Sequence, residues 1–183
     1  MKYFQKLKGE RIYLSPVSLD DCEEYTKWMN DHRITDNIGV SRFLYDMEKE
    51  REFLTSAQKQ DYHFAIVNYD GNTLMGNVSL FNLHPVNQTA DFGIFIGDEK
   101  NRGKGYGTEA GRLILNYGFN TLNLINIILK VFDFNKAAVA CYEKLGFKKI
   151  GIRRRAYFIG GQFHDEVYMD ILREEFFEHC NME

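Results

Sequence analysis

The sequence predicts an α/β chain whose strands and helices follow the order βααβββαβαββ. Three observations carry that reading. The apolar run Ala90-Asp91-Phe92-Gly93-Ile94-Phe95-Ile96 has the composition of a buried strand, and a glycine-rich stretch then leads into a helical pattern of Ala110, Leu113, Ile114 and Tyr117. A second buried strand at 124–133 precedes a helix near 136–145 that stops at Gly146. Asp70-Gly71-Asn72 and Gly160-Gly161 carry hairpin-turn chemistry between strand-like runs.

Taken in order, residues 10–14 (Glu-Arg-Ile-Tyr-Leu) read as an opening strand that Ser15-Pro16 ends. Ser18 then stands as an N-cap, with Asp20 and Asp21 in the first turn where the helix dipole favours acids. That helix runs to about Asn30 and turns Leu19, Cys22, Tyr25 and Met29 to one face. Residues 31–45 look irregular. Residues 46–59 form a second, highly charged helix with Met47, Phe53 and Leu54 inward. Strands at about 62–68 and 73–82 flank the first hairpin signal, and the strand at 88–96 leads into the central turn and helix. Strands at about 147–159 and 162–172 flank the second hairpin. Glu174-Glu175-Phe176-Phe177-Glu178 is read as a short final helix whose aromatic pair packs on the domain or on a second subunit.

At 183 residues the chain is expected to form one domain with a real core. A net charge of −3 gives no case for nucleic acid or an anionic membrane as partner. Cys22, Cys141 and Cys180 are odd in number and lack metal spacing, and the five histidines lack it too, so no metal site is expected. With no signal peptide or membrane-length apolar run, a reducing cytoplasm is the expected home. Two prolines and no low-complexity tract leave no linker.

The functional signal lies in Asn101-Arg102-Gly103-Lys104-Gly105-Tyr106-Gly107-Thr108-Glu109-Ala110. Strand, glycine turn and helix put free backbone N–H groups and the positive helix end at one spot, which makes an anion site, best suited to phosphate. The spacing G-x-G-x-G is not the dinucleotide fingerprint, and no carboxylate lies between Glu109 and Asp133 to serve a ribose. The P-loop pattern is absent as well.

Arg102, Gly105 and Gly107 instead meet the pattern [Q/R]-x-x-G-x-[G/A], which resembles the pyrophosphate loop of the GNAT superfamily of N-acetyltransferases. A second block, Asn135-Lys136-Ala137-Ala138-Val139-Ala140-Cys141-Tyr142-Glu143-Lys144-Leu145-Gly146-Phe147, matches the family's N-x-x-A-x-x-x-Y-x-K-x-G-F at every fixed position. Arg11-Ile12-Tyr13-Leu14, Ala90-Asp91-Phe92-Gly93 and Tyr117-Gly118-Phe119 resemble the branch of ribosomal-protein N-terminal acetylases and spermidine or small-amine acetylases. Three departures stand out. The stretch between the strand and Arg102 is one residue longer than usual, Gly107 replaces a frequent alanine, and Asp91 stands where glutamate is commoner. The resemblance implies a single-domain fold with a mixed, mostly antiparallel sheet flanked by helices. It also implies acetyl-CoA as cofactor and direct attack of an amine on the thioester.

Acetyl transfer to an amine sets three demands. Amines titrate near 10, so on the order of one molecule in a few thousand is neutral at pH 7. The site must remove a proton, stabilise an oxyanion and reprotonate the departing thiolate. Tyr142 matches the family's general-acid tyrosine; packing of its helix onto the sheet is the plain alternative. Asp91 interrupts an apolar run at the position where some members carry a catalytic base; a structural carboxylate is the alternative. The backbone of Gly103, Lys104, Gly105, Tyr106, Gly107 and Thr108 is expected to hold the pyrophosphate, with cationic contacts from Arg102 and Lys104. By the same resemblance, Phe95 and Ile96 offer backbone groups to the pantetheine amides, and Asn135 touches the cofactor, caps its helix, or does both.

The expected division places the acetyl-CoA-binding core at about 88–147 and the acceptor helices at about 18–60. Trp28, Asn30, Asp31 and Asp36, with Tyr25 nearby, offer aromatic and anionic groups to a cationic amine. The acceptor is a small amine such as a polyamine, or a protein N-terminus; an aminosugar or antibiotic amine is an alternative, as is a non-catalytic acyl-CoA-binding module. Dimers are common in such families, which makes a second copy of the chain an expected partner.

Overall fold

Eight strands form one sheet in the computed structural model, which describes residues 2–60 and 62–181, without the side chains of residues 60, 180 and 181. In chain order the elements are β1 (Leu7–Lys8), β2 (Ile12–Pro16), α1 (Cys22–Met29), α2 (His32–Ile38), α3 (Met47–Gln60), β3 (Tyr62–Asn68), β4 (Thr73–His84) and β5 (Thr89–Ile96). There follow α4 (Tyr106–Asn120), β6 (Asn126–Phe132), α5 (Lys136–Lys144), β7 (Lys148–Ile159), β8 (Gln162–Leu172) and α6 (Arg173–Asn181). The strands lie side by side as β1-β2-β3-β4-β5-β6-β8-β7. The predicted order βααβββαβαββ and the short final helix are all present, with β1 and α2 added.

Both faces of the sheet are covered, and the strand sequences show why. In β2, Ile12 and Leu14 enter the core under α4, while Tyr13 between them enters the core under α1 and α3. A strand buried on both sides must be apolar throughout rather than alternating. The larger core joins Ile66, Val78 and Leu80 of the sheet to Ile114, Leu115 and Phe119 of α4. The smaller joins Ala65 and Val67 to Tyr25, Trp28 and Leu54.

Two local expectations change. Residues 31–45 contain α2, capped by Asp31, whose carboxylate accepts from the Arg33 N–H at 2.9 Å, and ended by Gly39 at φ 74°. An Asp at one end and a Gly past the other are the ordinary start and stop of a helix. In α3, Met47 and Phe53 are 43% and 50% exposed. Glu50, Leu54 and Ala57 form the buried face instead.

One feature of the sheet positions the site. Every neighbouring pair of strands is antiparallel except β5 and β6, which the α4 crossover makes parallel. Their pairing lasts three residues, Thr89↔Asn126, Ala90↔Ile127 and Asp91↔Ile128. Beyond Asp91, Phe92 to Ile96 pair with β4 alone, and Leu129 to Phe132 pair with β8 alone. The sheet therefore opens into a wedge.

Candidate active site

A cavity of about 870 Å³ occupies the wedge and runs between the two faces of the sheet. At one end it meets the start of α4. Gly103 and Gly105 take φ of 70° and 84°, a region that L side chains enter at a cost of about 1–2 kcal/mol, and they fold the chain tightly onto the helix. The first intrahelical bond runs from the Glu109 N–H to the Gly105 carbonyl at 3.0 Å. The N–H groups of Tyr106, Gly107 and Thr108 precede it and carry the positive end of the helix dipole, beside the cavity.

The turn is braced from behind. Arg102 donates to the carbonyls of Ile96 (3.1 Å), Gly97 (2.8 Å) and Arg33 (3.4 Å). Its charge thus ties the turn to β5 and α2 rather than standing ready for an anion. Arg11 donates to Glu109 (2.9 Å) and to the Lys104 carbonyl (2.9 Å), and stacks on Tyr106 at 4.8 Å. Glu109 also accepts from the Arg11 N–H at 2.8 Å, which makes it the clasp between β2 and α4. Lys104 is exposed and lies outside the cavity wall. Of the two expected cationic side chains, Arg102 lines the cavity with its guanidinium bonded to backbone carbonyls, and Lys104 does not reach it.

Along the wedge, Phe95 and Ile96 line the cavity on the β5 edge that β6 leaves bare. From the α5 side come Asn135, Cys141 and Tyr142. Asn135 caps α5, accepting from the Ala138 N–H at 3.1 Å, and lines the cavity as well. Tyr142 is 7% exposed, edge-on to Phe92 at 5.9 Å. Burial pushes its pKa up, so the phenol keeps its proton at neutral pH. Thr108 and the Cys141 thiol lie 3.4 Å apart, and burial raises that thiol's pKa too. Asp91 sits at the last parallel-paired position, half-buried on the cavity wall, and accepts from the Asn82 amide at 3.0 Å.

The far end departs from expectation. Trp28, Asn30, Asp31 and Asp36 do not reach the cavity. Trp28 is 3% exposed and packs flat against Gly97, where an added Cβ would lie 2.1 Å from the indole. Asn30 donates to the carbonyls of Thr26 (2.8 Å) and Tyr45 (2.7 Å), stapling α1 to the next loop. Asp31 caps α2, and its hydrogen bond to the Arg33 side chain holds its carboxyl below the usual range. Asp36 pairs with His32 at 3.6 Å on the outer face of α2. Tyr25, Met29, Ile34, Ile38, Tyr45 and Phe53 form the wall here, over a floor of His63, Asn77 and Ser79.

The family model described as an acetyltransferase (GNAT) domain matches residues 11–148. The chain belongs to the GNAT acetyltransferases. It is 34% identical over 178 residues to probable N-acetyltransferase YjcK of Bacillus subtilis, covering 92% of this chain and 98% of that one. It is 32% identical over 152 residues to spermidine N(1)-acetyltransferase of Escherichia coli K12, covering 79% and 80%. The fold matches that of spermidine N-acetyltransferase from Vibrio cholerae, solved with CoA and spermine, at a TM-score of 0.84 and 24% identity over 92% and 99% of the chains. The protein is thus an N-acetyltransferase of a family that uses acetyl-CoA.

One cavity residue that the sequence did not single out is Glu50. It is 2% exposed, lines the cavity under α3, and is pushed by burial to a pKa of about 7. In the sequence it is one of several acids on a charged helix. Only its place at i−4 and i−7 from Leu54 and Ala57 set it apart. Among the described residues no three His, Cys, Asp or Glu side chains gather as a metal site, and no helix is long and apolar enough to cross a membrane.

Proposed function

We propose that the protein binds acetyl-CoA in the wedge and transfers the acetyl group to a primary amine that enters from the α1–α3 side. The acceptor is a small amine such as a polyamine, or a protein N-terminus. The observation that carries this reading is one cavity continuous from the glycine turn, past the bare edge of β5 and Tyr142, to the chamber under α3. A diphosphate at the turn takes the backbone N–H groups of residues 103–108; no side chain on Gly103 or Gly105 obstructs it. The backbone groups of Phe95 and Ile96 and the side chain of Asn135, which line the cavity, would hold the pantetheine arm. Residues 88–147 form the cofactor half and 18–60 the acceptor half.

The neutral amine would form the C–N bond as the thioester C–S bond breaks; the Tyr142 phenol would protonate the sulfur and be restored by the proton that nitrogen gives up. Asp91 stands at the mouth of the wedge as a carboxylate near the reacting centre. The relation to a spermidine acetyltransferase supports an amine acceptor. Thiol release from acetyl-CoA across spermidine, short peptides and aminosugars tests the reading. We expect turnover with an amine and its loss in Tyr142→Phe; cofactor binding without turnover on any amine would overturn it.

A further inference from the structure

Glu50 presents an unsolved charge. A carboxylate buried to this degree is unfavourable unless a cation or hydrogen-bond donors compensate it. None of the hydrogen bonds or ion pairs among the described residues ends on its side chain; only its own N–H is engaged, to the Asp46 carbonyl at 3.1 Å. The neighbouring cation, Lys49, favours the Glu50 charge only through space and less than burial opposes it; its ammonium donates to the Leu44 carbonyl at 3.0 Å and lies 4.4 Å over the Tyr45 ring. Yet Glu50 lines a cavity large enough for a ligand. Two aromatic side chains, Tyr25 from α1 and Tyr45 from the preceding loop, are its electrostatic neighbours.

We propose that Glu50 binds the acceptor's ammonium group and takes its first proton, acting as a catalytic residue at the acceptor end of the cavity. The inference rests on the N-acetyltransferase reading of the same cavity. An alkylammonium supplies the missing counter-charge, and aromatic rings beside it favour a desolvated cation. Protons balance as follows. The substrate R–NH₃⁺ gives one proton to Glu50, and the neutral amine forms the C–N bond. The C–S bond breaks, Tyr142 protonates the sulfur and regains the second nitrogen proton, and Glu50 releases its own to water. The acceptor class that fits is a primary amine on a hydrocarbon stem, in preference to an aminosugar with hydroxyls beside the amine.

The groups whose charges act on Glu50 or feel it are Tyr25 of α1, which also feels Asp21, Tyr45 of the loop and Lys49 of α3; His63 of β3 and Arg33 of α2 line the same cavity. Arg33 is held by Asp31 at 2.7 Å, and the phenols stay protonated. Glu50 is therefore expected to set the acid limb of kcat/KM, near pH 7. The test is steady-state thiol release with spermidine, butylamine and glucosamine between pH 5.5 and 9, with calorimetry of CoA binding in parallel. In Glu50→Gln, kcat/KM for both alkylamines should fall by about 100-fold or more with the limb abolished, while CoA affinity holds. Glu50→Asp should keep the limb at reduced kcat/KM. Alkylamine turnover that survives Glu50→Gln, or a wild-type profile flat through pH 7, would overturn the role. If Glu50→Gln does not fold, the wild-type profile still decides. A wild type that binds CoA but acetylates no amine would instead defeat the function proposed above.

Discussion

The two ends of the cavity are built on different principles. At the end beside the glycine turn the groups are backbone: N–H donors at the head of α4 and a bare edge on β5, fixed by glycine conformations and by Arg102 and Arg11 bracing from behind. At the end under α3 they are side chains: aromatic and aliphatic groups from three helices, with one buried carboxylate among them. Backbone recognition fixes a position and leaves the identities of most side chains free. Side-chain recognition can be rebuilt by changing a few residues. A cofactor shared by a family suits the first, and acceptors that differ among its members suit the second.

Several changes would sharpen or break this contrast. The largest effect is expected from Tyr142→Phe, which removes the proton donor but keeps the ring packed against Phe92 and Phe147. Turnover should drop by roughly 10²–10⁴-fold with cofactor affinity preserved, as steady-state kinetics and calorimetry would read. Trp28→Ala should lower unfolding stability by about 3–5 kcal/mol in urea, since it empties a core site against Gly97. The KM for the amine should not follow, because the indole lies outside the cavity.

Glu50 gives a smaller, pH-dependent effect. Its folded pKa of about 7 lies above the ordinary 4.5, so the folded state holds its proton more tightly than the unfolded chain. The resulting stability is complete below about pH 4.5 and is lost as the pH rises through about 7, amounting to about 3 kcal/mol at most. Glu50→Gln should therefore match the wild type near pH 4.5 and exceed it by up to that amount at pH 8, in thermal or urea melts. A variant that is more stable yet less active is what a functional buried charge produces. The smallest effect is expected from Asp31→Ala, at about 1 kcal/mol of stability for a lost helix cap, with amine kinetics unchanged.

What the sequence disclosed follows the same division. The glycine turn, the strand before it and the Asn135–Phe147 block are each contiguous in the chain, so residue spacing and resemblance to the family together make them legible. Hairpins and buried strands were legible for the same reason. The wall of the cavity under α3 was not, because it is assembled from α1, α2, α3 and the sheet at long separation. Treating residues 31–45 as irregular hid α2, and with it the direction in which Asp31 and Asp36 point. Trp28 was drawn toward the substrate by its chemistry, whereas Gly97 across the sheet had made room for it in the core. Glu50 is acidic like Glu48 and Glu52 beside it, and nothing short of the packed α1–α3 pair distinguishes it.

The central claim is that main-chain amides at the head of α4 hold the cofactor. Coenzyme A affinity in Gly105→Val and Gly107→Ala, measured by calorimetry beside thermal melts, tests it most directly. At Gly105, with φ of 84° and Arg11 3.2 Å from any added Cβ, a side chain must distort the turn. At Gly107 the nearest neighbours are Cys141 and Ile94 at 3.8 and 3.9 Å, ordinary contact distances. Affinity should fall by about tenfold or more in the first, a loss of at least about 1.4 kcal/mol, and stay near the wild type in the second. Two folded variants that bind the cofactor as tightly as the parent would contradict the account.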